Sequence, residues 1–206
     1  MVSMDSPTVF LVDDEEDVRS TLSRALKKRG FSVVSFDSAR AFLDQYQNEH
    51  GCLVLDYGMP EINGLELQSL MNDTNLTLPI IFISGHGGIP ESVQAMKAGA
   101  VDFLEKPFRQ GDLVACIQTA FARDLDMRAA LSAQNDAKAR FDRLTSRERE
   151  IAVFMMENPS NTASKEIGRA LDISPRTVDH HRARILEKLE LGSVIELVEF
   201  SKQFTA

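Results

Sequence analysis

The chain has 206 residues, which fits one large domain or two small ones. Hydrophobic residues make up 43% and charged residues 26%, a composition that excludes disordered and fibrous proteins. The net charge is −8, but it is unevenly spread: positions 1–140 carry 13 Lys and Arg against 20 Asp and Glu, and positions 141–206 carry 10 against 11. This balance argues against general polyanion binding, and leaves room for a DNA-reading surface in the second part.

Composition also bears on the compartment. No apolar run approaches the roughly 18 residues of a membrane helix, and the N-terminal sequence lacks the basic and apolar regions of a secretory signal. Cys52 and Cys116 are too few for a disulfide scaffold and have no metal-ligand spacing. We therefore expect a protein of the reducing cytoplasm without a membrane partner.

Short apolar runs alternate with amphipathic stretches over positions 1–110. Each run is short and rich in β-branched or aromatic residues, as in buried strands: 8–12, 32–36, 52–55, 80–83 and 101–104. Between the first two runs, apolar residues recur at helical spacing up to Gly30. The alternation predicts an α/β fold with a five-stranded parallel sheet covered by helices on both faces.

A long stretch without Gly or Pro, 112–158, follows the last predicted strand. Its apolar stripe ends at Leu125 and predicts a fifth helix that closes the sheet domain. Residues 125–140 are Ala-rich and charged, which favours a semi-rigid helical linker, with a disordered tether as the alternative. We therefore place domains at 1–124 and 141–206.

Positions 141–206 have the pattern of a small all-α domain. Thr145 and Glu148 have the spacing of a capping box, and Ser174-Pro175 is typical of an N-cap followed by the first residue of a helix. A short helix around Ile167, a tight turn and a longer helix with Val178 inward form a helix-turn-helix.

Charged and hydroxyl side chains follow four of the five predicted strands. Asp13 and Asp14 follow the first strand, and Asp56, Ser84 and Lys106 follow the third, fourth and fifth. Because parallel strands end at one edge of a sheet, these side chains converge there. Three close carboxylates repel one another, and a hard divalent cation with oxygen ligands, usually Mg²⁺, relieves this repulsion.

Each of these residues has a simpler explanation when it is taken alone. Acidic residues after a strand often stabilise the next helix, Ser84 alone is typical of a turn, and Lys106 alone is typical of a solvated charge. Their occurrence together at the ends of different strands favours a phosphoryl-transfer site, where a metal and a lysine neutralise charge.

The motifs around these residues resemble the receiver domain of two-component response regulators over residues 7–124. The resemblance rests on Val12-Asp13-Asp14-Glu15, Leu55-Asp56-Tyr57-Gly58-Met59-Pro60, Ile83-Ser84-Gly85-His86-Gly87 and Phe103-Leu104-Glu105-Lys106-Pro107. It implies a flavodoxin-like fold in which Asp56 accepts phosphate from a sensor histidine kinase.

The same resemblance assigns the remaining site residues. Asp13, Asp14 and Asp56, with the Gly58 carbonyl, would hold Mg²⁺, and Lys106 would pair with the phosphoryl oxygens. Ser84 would be the switch hydroxyl and Phe103 the aromatic coupled to it. Lys106-Pro107 is similar to the family's cis-proline turn. The face formed by residues 90–124 would carry the switch to a homodimer.

The C-terminal motifs resemble the LuxR-type helix-turn-helix over residues 141–204. They are Leu144-Thr145-Ser146-Arg147-Glu148, Ser164-Lys165-Glu166-Ile167-Gly168 and Ser174-Pro175-Arg176-Thr177-Val178-Asp179-His180-His181. With the receiver, they identify the chain as similar to the NarL/FixJ family, nearest its FixJ-like branch. Gly168 stands where alanine is usual, and we expect it to loosen its helix by up to ~1 kcal/mol.

The resemblance implies that helix 175–188 enters the major groove of double-stranded DNA. A helical wheel places Val178, Ile185 and Leu189 inward. We expect His180 and Arg184 to reach base edges and Asp179 to accept from cytosine. Four further residues are expected to hold phosphates: Lys165, Arg176, Thr177 and Lys188.

These expectations describe a transcription regulator, not an enzyme, that phosphorylation turns into a DNA-binding dimer and that has RNA polymerase as a further partner. The alternative is a phosphorylation-independent docking module whose helix-turn-helix makes protein contacts. A metal-dependent phosphohydrolase is a second alternative, but so short a receiver shows no cap insertion or substrate pocket.

Overall fold

Strands and helices alternate along the first part of the chain. The computed structural model describes residues 6–74, 76–85 and 88–202 and divides into two compact units, Met1–Arg128 and Ala129–Ala206. His86 and Gly87, in the predicted motif after the fourth strand, lie outside the described residues. The elements that begin in the first unit are β1 Thr8–Val12, α1 Glu16–Lys28, β2 Ser32–Phe36, α2 Ala39–Gln45, β3 Gly51–Asp56, α3 Gly64–Asp73, β4 Ile80–Ser84, α4 Ile89–Lys97, β5 Asp102–Glu105 and α5 Gln110–Asp142.

The five strands form one parallel sheet in the order β2-β1-β3-β4-β5. This confirms the predicted α/β fold with its sheet covered on both faces. Alternate residues of β1 enter different cores: Phe10 packs with Phe42 on one face, and Val9 and Leu11 pack with Ile117 on the other. The order places β1, β3, β4 and β5 side by side, so the residues after these strands lie at one edge.

Helix α5 is a single helix of 33 residues. The boundary between the two units, after Arg128, falls inside it. The predicted closing helix and the predicted linker 125–140 are therefore parts of one element.

The second unit is helical and surrounds a core of its own. Its helices are α6 Ser146–Glu157, α7 Ser164–Ala170, α8 Pro175–Leu189 and α9 Val194–Ser201. Thr145 and Glu148 form the predicted capping box. Ser174 caps α8 by accepting a hydrogen bond of 3.0 Å from the Thr177 backbone N–H. The fully buried residues include Ile151, Ile167, Val178, Ile185 and Leu189.

Gly168 has a role in this core that corrects our expectation. A Cβ at this position would lie 2.6 Å from the backbone oxygen of Ile173, and the Ile173 backbone N–H donates to the Gly168 carbonyl at 2.9 Å. The glycine lets the turn before α8 approach α7 closely. It therefore serves packing, and its absent side chain is not simply a loss of helix propensity.

Within the described ranges, no helix combines the length and the apolar character that a membrane span requires.

Candidate functional sites

The charged site predicted at the sheet edge begins with four residues at the ends of neighbouring strands. Asp13 directly follows β1, Asp56 ends β3, Ser84 ends β4 and Lys106 directly follows β5. All four strands are parallel, so their carboxyl ends open on the same side.

Lys106 joins two of the carboxylates. Its Nζ lies 2.9 Å from Asp13 Oδ2 and 2.7 Å from Asp56 Oδ1. The Asp13 side chain is fully buried and that of Asp56 is 10% exposed. One ammonium group therefore offsets two carboxylates that water barely reaches, and such a pair is costly to disrupt.

Burial and the neighbouring charges shift the pKa values of Asp13 and Lys106 in opposite directions. Burial raises the pKa of Asp13, and the hydrogen bond from Lys106 opposes that rise without cancelling it. Burial lowers the pKa of Lys106, but the hydrogen bonds to Asp56 and Asp13 outweigh it, so this pKa is raised. Lys106 therefore stays charged at neutral pH, where it can neutralise an incoming anion.

Backbone N–H groups fix the two carboxylates in place. Gly58 N donates to Asp56 Oδ2 at 2.7 Å, and Glu15 N donates to Asp13 Oδ1 at 2.9 Å. Each carboxylate thus has one oxygen on Lys106 and the other on a backbone amide, which sets its orientation before any ligand arrives.

Asp14 departs from the expected convergence of three carboxylates. It is exposed, and in the parts of the chain that the structure describes, no three His, Cys, Asp or Glu side chains lie close enough together to hold a metal ion. Lys106 already compensates the buried pair, whereas Asp14 keeps its hydration. The carboxylates at this edge nevertheless offer oxygen atoms as metal ligands, the ligand type that Mg²⁺ prefers.

Ser84 and Phe103, the two predicted switch residues, lie in the neighbouring strands β4 and β5. Ser84 is buried, and its backbone oxygen accepts from the Lys106 N–H at 2.7 Å. The half-buried Phe103 ring lies 6.0 Å from the Phe82 ring and 6.2 Å from the Tyr57 ring. Phe103 also lines a surface pocket of about 200 Å³ with residues of α4. The Lys106-Pro107 peptide bond, which resembles the family's cis-proline turn in sequence, is cis.

The second predicted site lies on α7 and α8. The inward face of α8 is as expected, because Val178, Ile185 and Leu189 are fully buried. Five of the predicted DNA-contacting residues are exposed and accessible to a ligand: Lys165, Arg176, Asp179, His180 and Arg184. Thr177 is half-buried, and its hydroxyl lies 2.7 Å from the Ser174 hydroxyl, within the helix cap.

Lys188 is placed differently from our expectation. Its Nζ donates to Glu148 Oε2 at 2.6 Å, and Glu148 is 2% exposed. A buried carboxylate without a partner is costly, so this lysine is committed to the fold. The structure therefore supports a structural role for Lys188, and we exclude it from the proposed DNA surface.

Two polar clusters have no signal in the sequence pattern. Asp124 is fully buried and accepts from His50 Nδ1, from the Gly51 N–H at 2.9 Å and from Arg128 Nε at 2.9 Å. On α8, Arg182 donates to the Thr162 carbonyl. Both join residues far apart in sequence, which no local pattern reveals.

Two family models together match most of the chain. The response regulator receiver domain matches residues 9–118, and the bacterial regulatory proteins of the luxR family match residues 142–201. The transcriptional regulatory protein FixJ of Rhizobium meliloti is 40% identical over 195 residues, 94% of this chain and 94% of that protein. The response regulator protein TmoT of Ectopseudomonas mendocina is 39% identical over 196 residues, 95% of this chain and 88% of that protein.

Solved structures agree with these relatives. The response regulator StyR has a TM-score of 0.80 at 38% identity, covering 97% of this chain and 100% of that one. Full-length FixJ from B. japonicum has a TM-score of 0.58 at 36% identity, covering 96% of each chain. The chain therefore belongs to the NarL/FixJ family of two-component response regulators, with a receiver domain and a LuxR-type DNA-binding domain.

Proposed function

We propose that this response regulator is phosphorylated on Asp56 by a sensor histidine kinase, and that the phosphorylated form dimerises, binds promoter DNA and activates transcription. One observation carries the proposal: Lys106 Nζ lies 2.9 Å from Asp13 and 2.7 Å from Asp56 at the carboxyl edge of the sheet. A docking module needs no such buried charge cluster.

The transfer itself needs positioning and charge neutralisation more than further covalent chemistry. An Asp56 carboxylate oxygen forms the new bond to phosphorus while the bond from phosphorus to the donor imidazole nitrogen breaks. The electron pair of that bond leaves with the imidazole. Lys106 neutralises the phosphoryl oxygens, and the Gly58 N–H holds the carboxylate in the orientation for attack.

The oxygen donors at this edge fit Mg²⁺. Asp13, Asp14 and Asp56, with the Gly58 carbonyl, are the residues that would hold it. When bound, the cation supplies neutralisation of the negative charge that gathers on the phosphoryl oxygens. Asp14 is exposed and directly follows the buried Asp13 in sequence, so its carboxylate is accessible to a hydrated cation.

Phosphorylation adds a charge of about −1.5 to −2 at Asp56. In the proposed switch, the Ser84 hydroxyl turns toward the new oxygens and Phe103 moves into the space this opens. The pocket of about 200 Å³ beside Phe103 gives the α4 side of the domain room to rearrange.

An apolar stripe on α4 supports dimerisation through this face. Ile89, Val93 and Met96 recur at helical spacing and are 82%, 45% and 43% exposed. Contiguous exposed apolar residues mark interaction surfaces. A two-fold dimer of receivers would bring two helix-turn-helix units to two half-sites of matching symmetry.

The DNA contacts divide into two kinds. His180 and Arg184 on the exposed face of α8 would reach base edges, while Lys165, Arg176 and Thr177 would contact phosphates and set the register. Activation would involve contact with RNA polymerase. A regulator of promoter DNA acts in the cytoplasm.

Intact-mass measurement after incubation with acetyl phosphate and Mg²⁺ tests the first step. We expect one phosphoryl adduct on the full chain, and no adduct in Asp56→Ala or without Mg²⁺. Glu105→Ala, a change at an exposed carboxylate at the end of β5, is the control and should keep the adduct. An adduct that survives Asp56→Ala, or none in the native chain, would favour the docking module.

A further inference from the structure

The two oxygens of Asp179 on α8 have different surroundings. Oδ1 accepts a hydrogen bond from the Ser164 hydroxyl and lies 3.8 Å from Arg182 NH1. Within the described residues, Oδ2 has no hydrogen-bond or ion-pair partner. The side chain is 62% exposed, so one oxygen is anchored to the protein and the other faces outward.

The anchoring groups are themselves fixed. Ser164 is the first residue of α7, and Arg182 is only 23% exposed and donates through NH2 to the Thr162 carbonyl just before that helix. The start of α7 is thus connected to α8 by two hydrogen bonds: Ser164 donates to Asp179, and Arg182 donates to the Thr162 carbonyl. This bridge restricts rotation of the Asp179 carboxylate, which a lone exposed aspartate would not experience.

A carboxylate on a DNA-facing helix is repelled by phosphates, and here Arg182 offsets part of its charge. The outward oxygen can only accept hydrogen bonds. In the major groove, cytosine offers the N4 amino donor. Adenine offers an amino donor at N6 as well, but the acceptor N7 beside it repels a carboxylate, as do guanine O6 and thymine O4.

We propose that Asp179 selects cytosine at one position of each half-site through Oδ2, and that Ser164 and Arg182 are positioning residues that hold Oδ1. This inference rests on the proposed function, because it assigns specificity within the DNA surface of α7 and α8. It gives a role to Arg182, and it makes Ser164 a determinant of specificity without any contact to DNA.

Selection of binding sites from a random duplex library tests the proposal with the full chain treated with acetyl phosphate and Mg²⁺. The native chain should enrich a motif with a cytosine preference of about tenfold at one position per half-site. Asp179→Ala should lose the preference at that position and keep the rest of the motif. Asp179→Asn should also lose the cytosine preference, because an amide whose oxygen stays on Ser164 presents an NH₂ donor, and the N4 amino group of cytosine cannot accept from it.

Ser164 separates positioning from direct contact. Ser164→Ala should weaken the cytosine preference severalfold at the same position alone, and Ser164→Thr, which keeps the hydroxyl, should restore it. Circular dichroism spectra matching the native chain establish that each variant is folded. An unchanged motif in Asp179→Ala, or Ser164→Thr and Ser164→Ala behaving alike, would overturn the proposal. If the native chain enriches no motif at all, DNA reading itself fails and the proposed function falls with this inference.

Discussion

Two carboxylates at the carboxyl edge of the sheet are buried and share one lysine, whereas the charged groups on α8 are mostly exposed to solvent. Asp13 and Asp56 share Lys106 within 2.9 Å, while His180 and Arg184 stand exposed on the helix surface. A buried charge must have a partner, so its neighbours follow from the fold. An exposed charge has no such requirement, and its role depends on the ligand that it meets.

The second unit also contains an ion pair with a buried carboxylate, so both kinds of charged group occur in one domain. Glu148 and Lys188 are joined at 2.6 Å inside the same domain that carries the exposed residues of the proposed DNA surface. Lys188 resembles its exposed neighbours in sequence, but it serves the fold. The distinction between structural and ligand-binding charges therefore lies in burial.

The largest expected effect is at Lys106. Lys106→Met removes the cation between two buried carboxylates, and we expect the receiver to lose about 3–5 kcal/mol of unfolding free energy at neutral pH. Part of the loss should return at acidic pH, since protonation of one carboxyl relieves the repulsion. Calorimetry of the full chain measures this, with exposed Lys27→Met as the control, which should change stability by less than about 0.5 kcal/mol. Equal effects of the two variants would contradict the account.

The next effect is at Glu148. Burial would raise its pKa, but the hydrogen bonds from Lys188 and Thr145 outweigh it and lower the pKa to about 2. Glu148→Gln should cost the second unit about 3 kcal/mol at pH 7, as the lowered pKa implies. Glu150→Gln, at a carboxylate that is 48% exposed, should cost little.

The sign of the pH dependence follows from the lowered pKa of Glu148. Its contribution should be fully present above the unfolded value near 4.5 and should fall as the pH drops toward about 2. Thermal unfolding between pH 7 and pH 2 measures it. The assignment would be contradicted if the difference in stability between the native chain and Glu148→Gln were the same at pH 7 and at pH 2.

On the exposed surface, the effects should appear in binding and not in folding. Arg184→Ala should weaken binding to the selected site by about tenfold and relax specificity at one position. Lys165→Ala should weaken binding to all sequences alike and reduce the salt dependence by about one unit of slope. Fluorescence anisotropy on specific and scrambled duplexes distinguishes the two. If Arg184→Ala and Lys165→Ala changed the affinities for the specific and scrambled duplexes in the same way, the assignment of separate base and phosphate contacts would be wrong.

Packing in the turn of the helix-turn-helix gives the smallest effect. Gly168→Ala should destabilise the second unit by about 1 kcal/mol despite the higher helix propensity of alanine, because its Cβ would meet the Ile173 carbonyl. Gly111→Ala is the matched control, since a Cβ there meets nothing within 4 Å. It should stabilise α5 by a few tenths of a kcal/mol. Stabilisation by Gly168→Ala, measured by thermal unfolding, would show that the turn has room.

The sequence predicts the sheet and its edge well for a physical reason. Apolar runs identify buried strands, and parallel strands must bring Asp13, Asp56 and Lys106 to one edge. The same logic does not predict how far each side chain is buried, since Asp13 is fully buried while the adjacent Asp14 is exposed. Helical periodicity likewise identifies the buried face of α8.

Periodicity and spacing do not predict side-chain contacts between residues that are distant in sequence. Asp124 meets His50 across 74 positions of sequence, and Lys188 meets Glu148 across 40. Each contact depends on how whole elements pack, so spacing along the chain carries no trace of it. Arg182 reaches the Thr162 carbonyl only when the turn before α7 is in place.

In the proposed switch, charge added at Asp56 changes how the second unit binds DNA. The most direct test is the affinity of the full chain for a duplex selected by it, with and without acetyl phosphate and Mg²⁺, beside Asp56→Asn. We expect binding to tighten at least about tenfold on phosphorylation of the native chain, within the usual range of coupling energies, and to stay constant in the variant. Equal affinity of the two forms of the native chain, with the adduct verified by mass, would contradict the claim.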